Sequence, residues 1–362
     1  MYLNRIILSN FKNIAQAEVH FSPKINCITG ANGAGKTNLL EAIHYLSMTK
    51  SFLPLQDRYI CRYGAKQAAL HGEYTKDGLL EKVSVSLCPD GDKVLRRNDK
   101  SYPRLSDHIG FLPIVAVSPA DTSLIQDSGE ERRRLMNMIL SQTDADYLRA
   151  VKLYNRTLQQ RNKMLKDEAV NLDLLEAFTQ MLVQYGTPIV QHRIRLAEQL
   201  NHWTAIYYEP LSGGKETVSI TYDSDALRAP LAQVFQESLT RDRLLRYTSC
   251  GVQRDDFIFD LNGHPIRKSG SQGQQKTFLT ALKLAQFTLM REQYGFSPIL
   301  LLDDVFDKLD LSRVEFLIQL VAQEEFGQIF ITDSNKVRLD RVVSSITREH
   351  RFFQMQDGEV VE

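Results

Sequence analysis

Residues 30–37 read GANGAGKT, and few octapeptides leave a chain so little choice in how it folds. The apolar run Ile25-Asn26-Cys27-Ile28-Thr29 before it suits a buried strand, and Asn38-Leu39-Leu40-Glu41-Ala42-Ile43 after it suits a helix. Gly30, four residues, then Gly35-Lys36-Thr37 is the P-loop spacing, and its chemistry follows from the backbone. Glycines at 30, 33 and 35 let successive N–H groups point inward as an anion nest, and the helix starting near Lys36 adds its unpaired N–H groups and positive dipole end. Gly30, Ala31, Asn32, Gly33, Ala34, Gly35, Lys36 and Thr37 are therefore expected to hold the phosphates of ATP or GTP. Lys36 would reach the outer phosphates, and the Thr37 hydroxyl would ligate magnesium (Mg2+).

A P-loop needs a carboxylate at the end of a neighbouring strand to complete the magnesium shell. Ile299-Leu300-Leu301-Leu302-Asp303-Asp304 supplies one, since four apolar residues bury the strand and Asp303 emerges at its tip. Thr37 and Asp303 are the candidate metal ligands. Lys36, Asp303 and Asp304 are the candidate catalytic groups, with Asp304 orienting or deprotonating the attacking water. Upstream, Ser269-Gly270-Ser271-Gln272-Gly273-Gln274-Gln275 opens a helix expected over residues 274–294, and its glycines also suit an anion. One nest already takes one nucleotide's phosphates, so two nests suggest that two chains share each nucleotide.

At 362 residues the length suggests two or three domains, and 43% hydrophobic with 24% charged residues is enough for a full core. No apolar run spans a membrane and the start of the chain lacks a signal peptide, so a cytoplasmic location is expected. Cys27, Cys61, Cys88 and Cys250 are too scattered for a zinc site or a disulfide framework. Forty-four basic and forty-four acidic residues give a formal net charge of zero, so any DNA contact must come from a local patch.

Strand periodicity runs through residues 2–29 and returns over 68–102. From 129 to about 208 the texture is helical. There Tyr147, Val151, Tyr154, Leu158 and Leu165 fall on a seven-residue seam that Arg161 interrupts, and Gly186-Thr187-Pro188 reads as a break with Thr187 as N-cap of the next helix. Strands are expected at 217–222 and 256–261. The last third alternates a helix (274–294), a strand (298–302), a helix (311–324) and a strand (328–332). That order suits a doubly wound α/β sheet interrupted by an inserted helical domain. The expected division is an N-terminal half at 1–118, an inserted helical arm at 119–250 and a C-terminal half at 251–362.

Taken together, Phe11-Lys12-Asn13, the P-loop, Thr49-Lys50-Ser51-Phe52, Ser118-Pro119-Ala120-Asp121, Glu131-Arg132-Arg133-Arg134, Arg254-Asp255-Asp256, GSQGQQK and LLLDDVFDKLD resemble, in order and spacing, the bacterial RecF family of ABC/SMC-like recombination mediators. The resemblance implies an ABC-type P-loop ATPase head with a helical arm. It implies an ATP-dependent homodimer that binds duplex DNA near single-strand gaps, works with RecR and RecO to place RecA, and uses slow ATP hydrolysis for release. Carried over by position, Ser271, Gly273 and Gln274 match the signature loop that touches the opposite subunit's γ-phosphate, and Asp310 matches the D-loop aspartate. Asn137 stands where the family's aspartate is expected, Gln253 where a histidine often stands, and Asp307 where serine is usual. Ile331-Thr332-Asp333-Ser334 lacks the switch histidine of transporter ATPases, which argues against a transporter.

Candidate DNA contacts are Arg149, Lys152, Arg156, Arg161, Lys163 and Lys166 along the arm, and Arg96, Arg97 and Lys100 on the β-rich part. No aromatic-rich motif for stacking single strands is evident, which favours duplex backbone. Two other readings stay open: an adaptor whose nucleotide site barely turns over, and a phage-defence ABC-type ATPase, although its usual C-terminal nuclease has no room here.

Overall fold

The computed structural model describes residues 1–53, 55–167, 171–306 and 311–361. Contacts divide the chain into one unit made of Met1–Asp121 with Gln286–Glu362 and a second made of Thr122–Ala285. Residues 251–285, including Ser271, Gly273 and Gln274, thus group with the helical unit, where the sequence division put them with the C-terminal half of the head. The cause is visible in the strand Asp256–Leu261, which pairs antiparallel with Val218–Asp223 and not with the sheets of the first unit.

The first unit holds two six-stranded sheets. One is antiparallel, in the order Ile14–His20, Tyr2–Phe11, Ala68–Lys76, Leu79–Leu87, Lys93–Arg97 and Lys100–Ser101. The other runs Glu359–Val361, His350–Gln356, Ile25–Thr29, Ile329–Asp333, Ile299–Leu302 and Ile114–Val117, parallel throughout except at its first edge. Every residue of Ile25–Thr29 and of Ile299–Leu302 is buried, as parallel strands covered on both faces require. The helix Lys36–Met48 buries ten of its thirteen residues and contacts both sheets, so a single core cluster runs from Leu3, Ile6 and Val83 through Leu39 and Ile43 to Leu301 and Phe330.

His108 belongs to the same unit. Its Nε2 lies 2.8 Å from the Leu46 carbonyl and its Nδ1 3.2 Å from the Tyr102 hydroxyl. Burial pushes its pKa from 6.5 down to about 4, the Leu46 carbonyl opposing and the Arg97 and Lys76 charges adding. The unfolded imidazole therefore binds a proton that the folded one refuses. This contribution to stability is complete above pH 6.5 and drains as pH falls towards 4, a loss of about 2 kcal/mol between pH 7 and pH 5. Urea midpoints at the two pH values should show that loss for the native chain and much less for His108→Gln.

The second unit is built on the helices Gly129–Thr143, Ala145–Met164, Leu172–Ser212 and Leu231–Leu245, with a three-stranded sheet. The helix Gln272–Tyr294 begins here and runs on past Ala285. Gly186-Thr187-Pro188 does not break the chain. Pro188 lies inside the continuous 41-residue helix Leu172–Ser212. Gly186 is there for packing: a Cβ on it would sit 2.8 Å from Leu231 Cδ1 and 3.2 Å from the Tyr154 ring. Thr187 donates to the Val183 carbonyl (2.8 Å) instead of capping a new helix, and the Pro188 carbonyl faces His192 Nδ1 at 2.7 Å. Tertiary contacts thus outweigh a proline's cost of roughly 3 kcal/mol.

The seam residues Tyr147, Tyr154 and Leu165 are buried as expected, and so is Arg161. Its guanidinium donates to Asp242 (2.8 Å) and Thr248 (2.7 Å), so it is no surface cation and leaves the set of DNA contacts. Arg97 is likewise committed, to Glu81 at 2.6 Å. Two of the three positions that depart from the family pattern, Asn137 and Gln253, also fall in this unit. Asn137 Oδ1 accepts from Tyr147 Oη (2.7 Å) and Arg193 Nη2 (3.1 Å), and Gln253 Oε1 accepts from Tyr154 Oη. Asp255 and Asp256 act as ties. Asp256 takes both arms of Arg132 at 2.6 and 2.8 Å, while Asp255 takes Arg193 and the Tyr222 hydroxyl, its pKa pushed up by burial against the pull of Arg193.

Candidate nucleotide site

The P-loop leaves Ile25–Thr29 at Gly30 and enters Lys36–Met48 after Gly35. Gly30 has φ +152°, and a Cβ there would lie 2.4 Å from the Met355 carbonyl oxygen, so only glycine fits. Gly35, at φ +112°, is the N-cap and offers no side-chain acceptor, and the first turn of the helix carries no acid. Its N–H groups are left for an anion. Lys36, nearly buried, donates from Nζ to the carbonyls of Gly30 (2.9 Å) and Ala31 (3.1 Å), which holds the ammonium over the loop.

Across the loop, Thr37 Oγ1 lies 3.0 Å from each oxygen of Asp303. Parallel pairing of Ile299–Leu302 with Ile329–Asp333 and Ile114–Val117 fixes Asp303 at the strand's end, where its N–H donates to the Val117 carbonyl at 2.8 Å. Only 3% of Asp303 is exposed. Burial raises its pKa, the Asp304 charge adds to that, and hydrogen bonds from Thr332 and Thr37 and the Lys36 charge oppose it. A buried carboxylate held between hydroxyls and a cation gains most from a divalent ion. The donor set, one hydroxyl with one carboxylate, fits magnesium that brings phosphate oxygens and waters for its remaining positions. No group of three or more His, Cys, Asp or Glu suited to a metal exists among the described residues.

Thr332, noted in the sequence only for the missing histidine, connects the acidic pair. Its Oγ1 donates to Asp303 Oδ1 (2.7 Å) and accepts from the Asp304 N–H (2.9 Å). Asp304 itself has φ +44°, the left-handed region that aspartate and asparagine tolerate. The D-loop positions Asp307 and Asp310 lie outside the described residues.

Sequence reasoning named Phe11-Lys12-Asn13 without giving it a task. The Lys12 ammonium pairs with the buried Glu41, which also accepts from Ser51, and burial lowers the Lys12 pKa to about 8 against the pull of the Asp303 charge. Asn13 Oδ1 accepts from Asn38 at 2.7 Å, and the Gly358 N–H donates to the Ala34 carbonyl at 2.9 Å. The C-terminal hairpin therefore braces the P-loop from behind, and the Asp357-Gly358 turn was the available signal.

Ser271, Gly273 and Gln274, expected as a signature loop, sit in the second unit at the start of Gln272–Tyr294. Ser271 Oγ accepts from the Gln274 N–H (3.3 Å) and Gln274 Oε1 accepts from the Ser271 N–H (2.7 Å), a reciprocal capping box. Gln274 Nε2 also reaches Glu216 at 2.5 Å. Gly270 is needed for packing, since a Cβ would meet the Ile266 carbonyl oxygen at 2.8 Å. A Cβ on Gly273 would meet only Ser271 Oγ, at 4.0 Å.

Residues 2–354 match the RecF/RecN/SMC N terminal domain family. A DNA replication and repair protein RecF from Parabacteroides distasonis is 44% identical over 360 residues, covering 99% of both chains. The chain belongs to the RecF family. A RecF relative from Flavobacterium johnsoniae is 40% identical over 98% of this chain and all of its own length. The solved RecF-ATP structure, described as a recombination mediator in the RecFOR pathway, superposes with a TM-score of 0.89 at 30% identity, covering 99% of this chain and 97% of that one. The Smc head of Pyrococcus furiosus, 18% identical with a TM-score of 0.59 over 99% of this chain, shares the fold, the ABC-type head of mixed sheets with flanking helices. No described helix is long and apolar enough to cross a membrane.

Proposed function

We propose that this chain binds ATP with magnesium in residues 30–37, pairs with a second copy of itself on that nucleotide, and in that state holds duplex DNA near single-strand gaps. In this reading it acts with RecO and RecR so that RecA is placed on single strands, and slow hydrolysis releases it. The observation that carries the reading is the Thr37, Asp303, Thr332 and Asp304 chain of hydrogen bonds facing Lys36. RecF relatives with ATP and named for the RecFOR pathway support the partners.

Lys36 would leave the Gly30 and Ala31 carbonyls for the β- and γ-phosphates, and the N–H groups of the loop and first helical turn would take the remaining oxygens. Magnesium, when bound, neutralises charge that builds on the phosphoryl oxygens. Thr37 and Asp303 would hold it, and Thr332 keeps Asp303 aimed. Asp304, whose backbone is left-handed, would orient or deprotonate the attacking water. Ser271, Gly273 and Gln274 of the partner copy would close on the γ-phosphate. Gly273, which this chain's own packing does not require, leaves room for that approach. ATP then acts as a switch, because only the paired state completes both sites.

The test is the molar mass in solution with ATP, with ADP and without nucleotide, each with and without a short gapped duplex. A dimer formed with ATP alone, which also retains the duplex at moderate salt, supports the reading. A mass indifferent to ATP overturns it.

A further inference from the structure

Residues 50–67 carry Lys50, Arg58, Arg62 and Lys66 against a single carboxylate, Asp57, in a chain of zero formal net charge. The segment is fixed from inside. Ile60 and Cys61 are buried, Cys61 bridges to Phe11, the Lys12 N–H donates to the Ile60 carbonyl and the Arg62 N–H to the Asn10 carbonyl, both at 2.8 Å. Asp57 is spent on Lys93 (2.6 Å) and the Tyr45 hydroxyl (2.9 Å). Arg58, Tyr59, Arg62, Tyr63 and Lys66 are all exposed, Tyr63 completely (104%) and Tyr59 by more than half (55%). The Arg58 guanidinium lies 4.7 Å from the centre of the Tyr59 ring. Among the described residues no carboxylate forms an ion pair with Arg58, Arg62 or Lys66.

An Arg-Tyr pair thus recurs after four residues, on a surface the fold holds still, with its cations uncommitted and its rings in water. Cations alone would suit any polyanion. The rings narrow the choice, because a duplex offers phosphates with its base faces stacked away, whereas an unpaired strand offers phosphates and open base faces together. We propose that Arg58-Tyr59, Arg62-Tyr63 and Lys66 form a contact site for unpaired nucleotides of DNA, the cations on phosphates and the tyrosine rings on base faces. The proposal rests on the DNA-binding reading above and supplies what would distinguish a gap from uninterrupted duplex.

The test uses the full chain with ATP and two fluorescent substrates, a duplex with an oligothymidine gap and the same duplex without one. With Tyr59→Ala/Tyr63→Ala, affinity for the gapped substrate should fall about tenfold while uninterrupted duplex is held within about twofold, which also shows that the variant is folded. Tyr59→Phe/Tyr63→Phe keeps both rings and should behave as the native chain. Arg58→Gln/Arg62→Gln/Lys66→Gln should lower the slope of log affinity against log salt on the gapped substrate by about two. Equal affinities for the native chain and the alanine variant overturn the proposal while leaving DNA binding intact, as does an equal loss on both substrates. Polyglutamate that competes with the native chain but not with the alanine variant assigns the patch to an acidic protein and also overturns it. A native chain that binds neither substrate overturns the DNA reading itself, and this site with it.

Discussion

Asp304→Asn is expected to slow ATP hydrolysis by a factor on the order of 10² to 10⁴, the usual contribution of a positioned general base. ATP affinity and ATP-driven pairing should stay within about threefold, since uniform binding is untouched. The variant is clean for a backbone reason. Asp304 stands at φ +44°, where asparagine is as well tolerated as aspartate, and its N–H bond to Thr332 does not involve the side chain. Alanine would add strain and blur the result. The neighbouring charge also matters: the Asp304 carboxylate raises the pKa of Asp303, so asparagine should make Asp303 easier to keep ionised and, if anything, tighten magnesium. Phosphate release at saturating ATP, read beside molar mass, checks both halves. Unchanged turnover would remove Asp304 from the chemistry. If the chain is an adaptor with negligible turnover, the substitution will change neither binding nor survival of cells after ultraviolet damage.

The parts of the fold that could be read in advance are those where local chemistry and tertiary structure agree. The P-loop, the buried strand ending at Asp303 and the strands at Val218–Asp223 and Asp256–Leu261 are of that kind, because each carries its own period and turn residues. Misreadings arose where a residue serves a distant partner. Gly186 looked like punctuation and is a packing gap for Leu231 and Tyr154, and Arg161 looked like a surface cation on a helix and is paired with Asp242, eighty-one residues on. Thr332 gave no sign of its role, since a hydroxyl at a strand end is ordinary until the parallel register puts it between Asp303 and Asp304. The Arg58-Tyr59 and Arg62-Tyr63 pairs were passed over for a similar reason. Ile60 and Cys61 lie between the two pairs in sequence, and exposure separates the tyrosines from them only once the Cys61–Phe11 bridge is known.

Ser271 separates the two meanings of its loop, a helix cap and a contact to the partner's phosphate. As a cap it needs only an acceptor for the Gln274 N–H, and aspartate supplies that as well as serine while favouring the helix dipole, so Ser271→Asp should leave the monomer at least as stable. Arginine forfeits the cap, at a cost of about 1 kcal/mol. For the paired state the two variants converge. Aspartate would set a negative charge against the γ-phosphate, arginine would fill the space that Gly273 leaves open, and two-fold symmetry would repeat the damage at both nucleotides. At roughly 2 kcal/mol for each site, the ATP-dependent dimer should dissociate about 10³ times more readily in both. ATP affinity of the monomer should be unaffected, because the Ser271 hydroxyl bonds to Gln274, while the side chains of Lys36 and Thr37 bond to Gly30, Ala31 and Asp303. Molar mass against protein concentration at saturating ATP decides the matter. A dimer that survives Ser271→Asp would leave the loop as a helix cap and nothing more, and the shared-nucleotide reading would fall even though the P-loop still bound ATP.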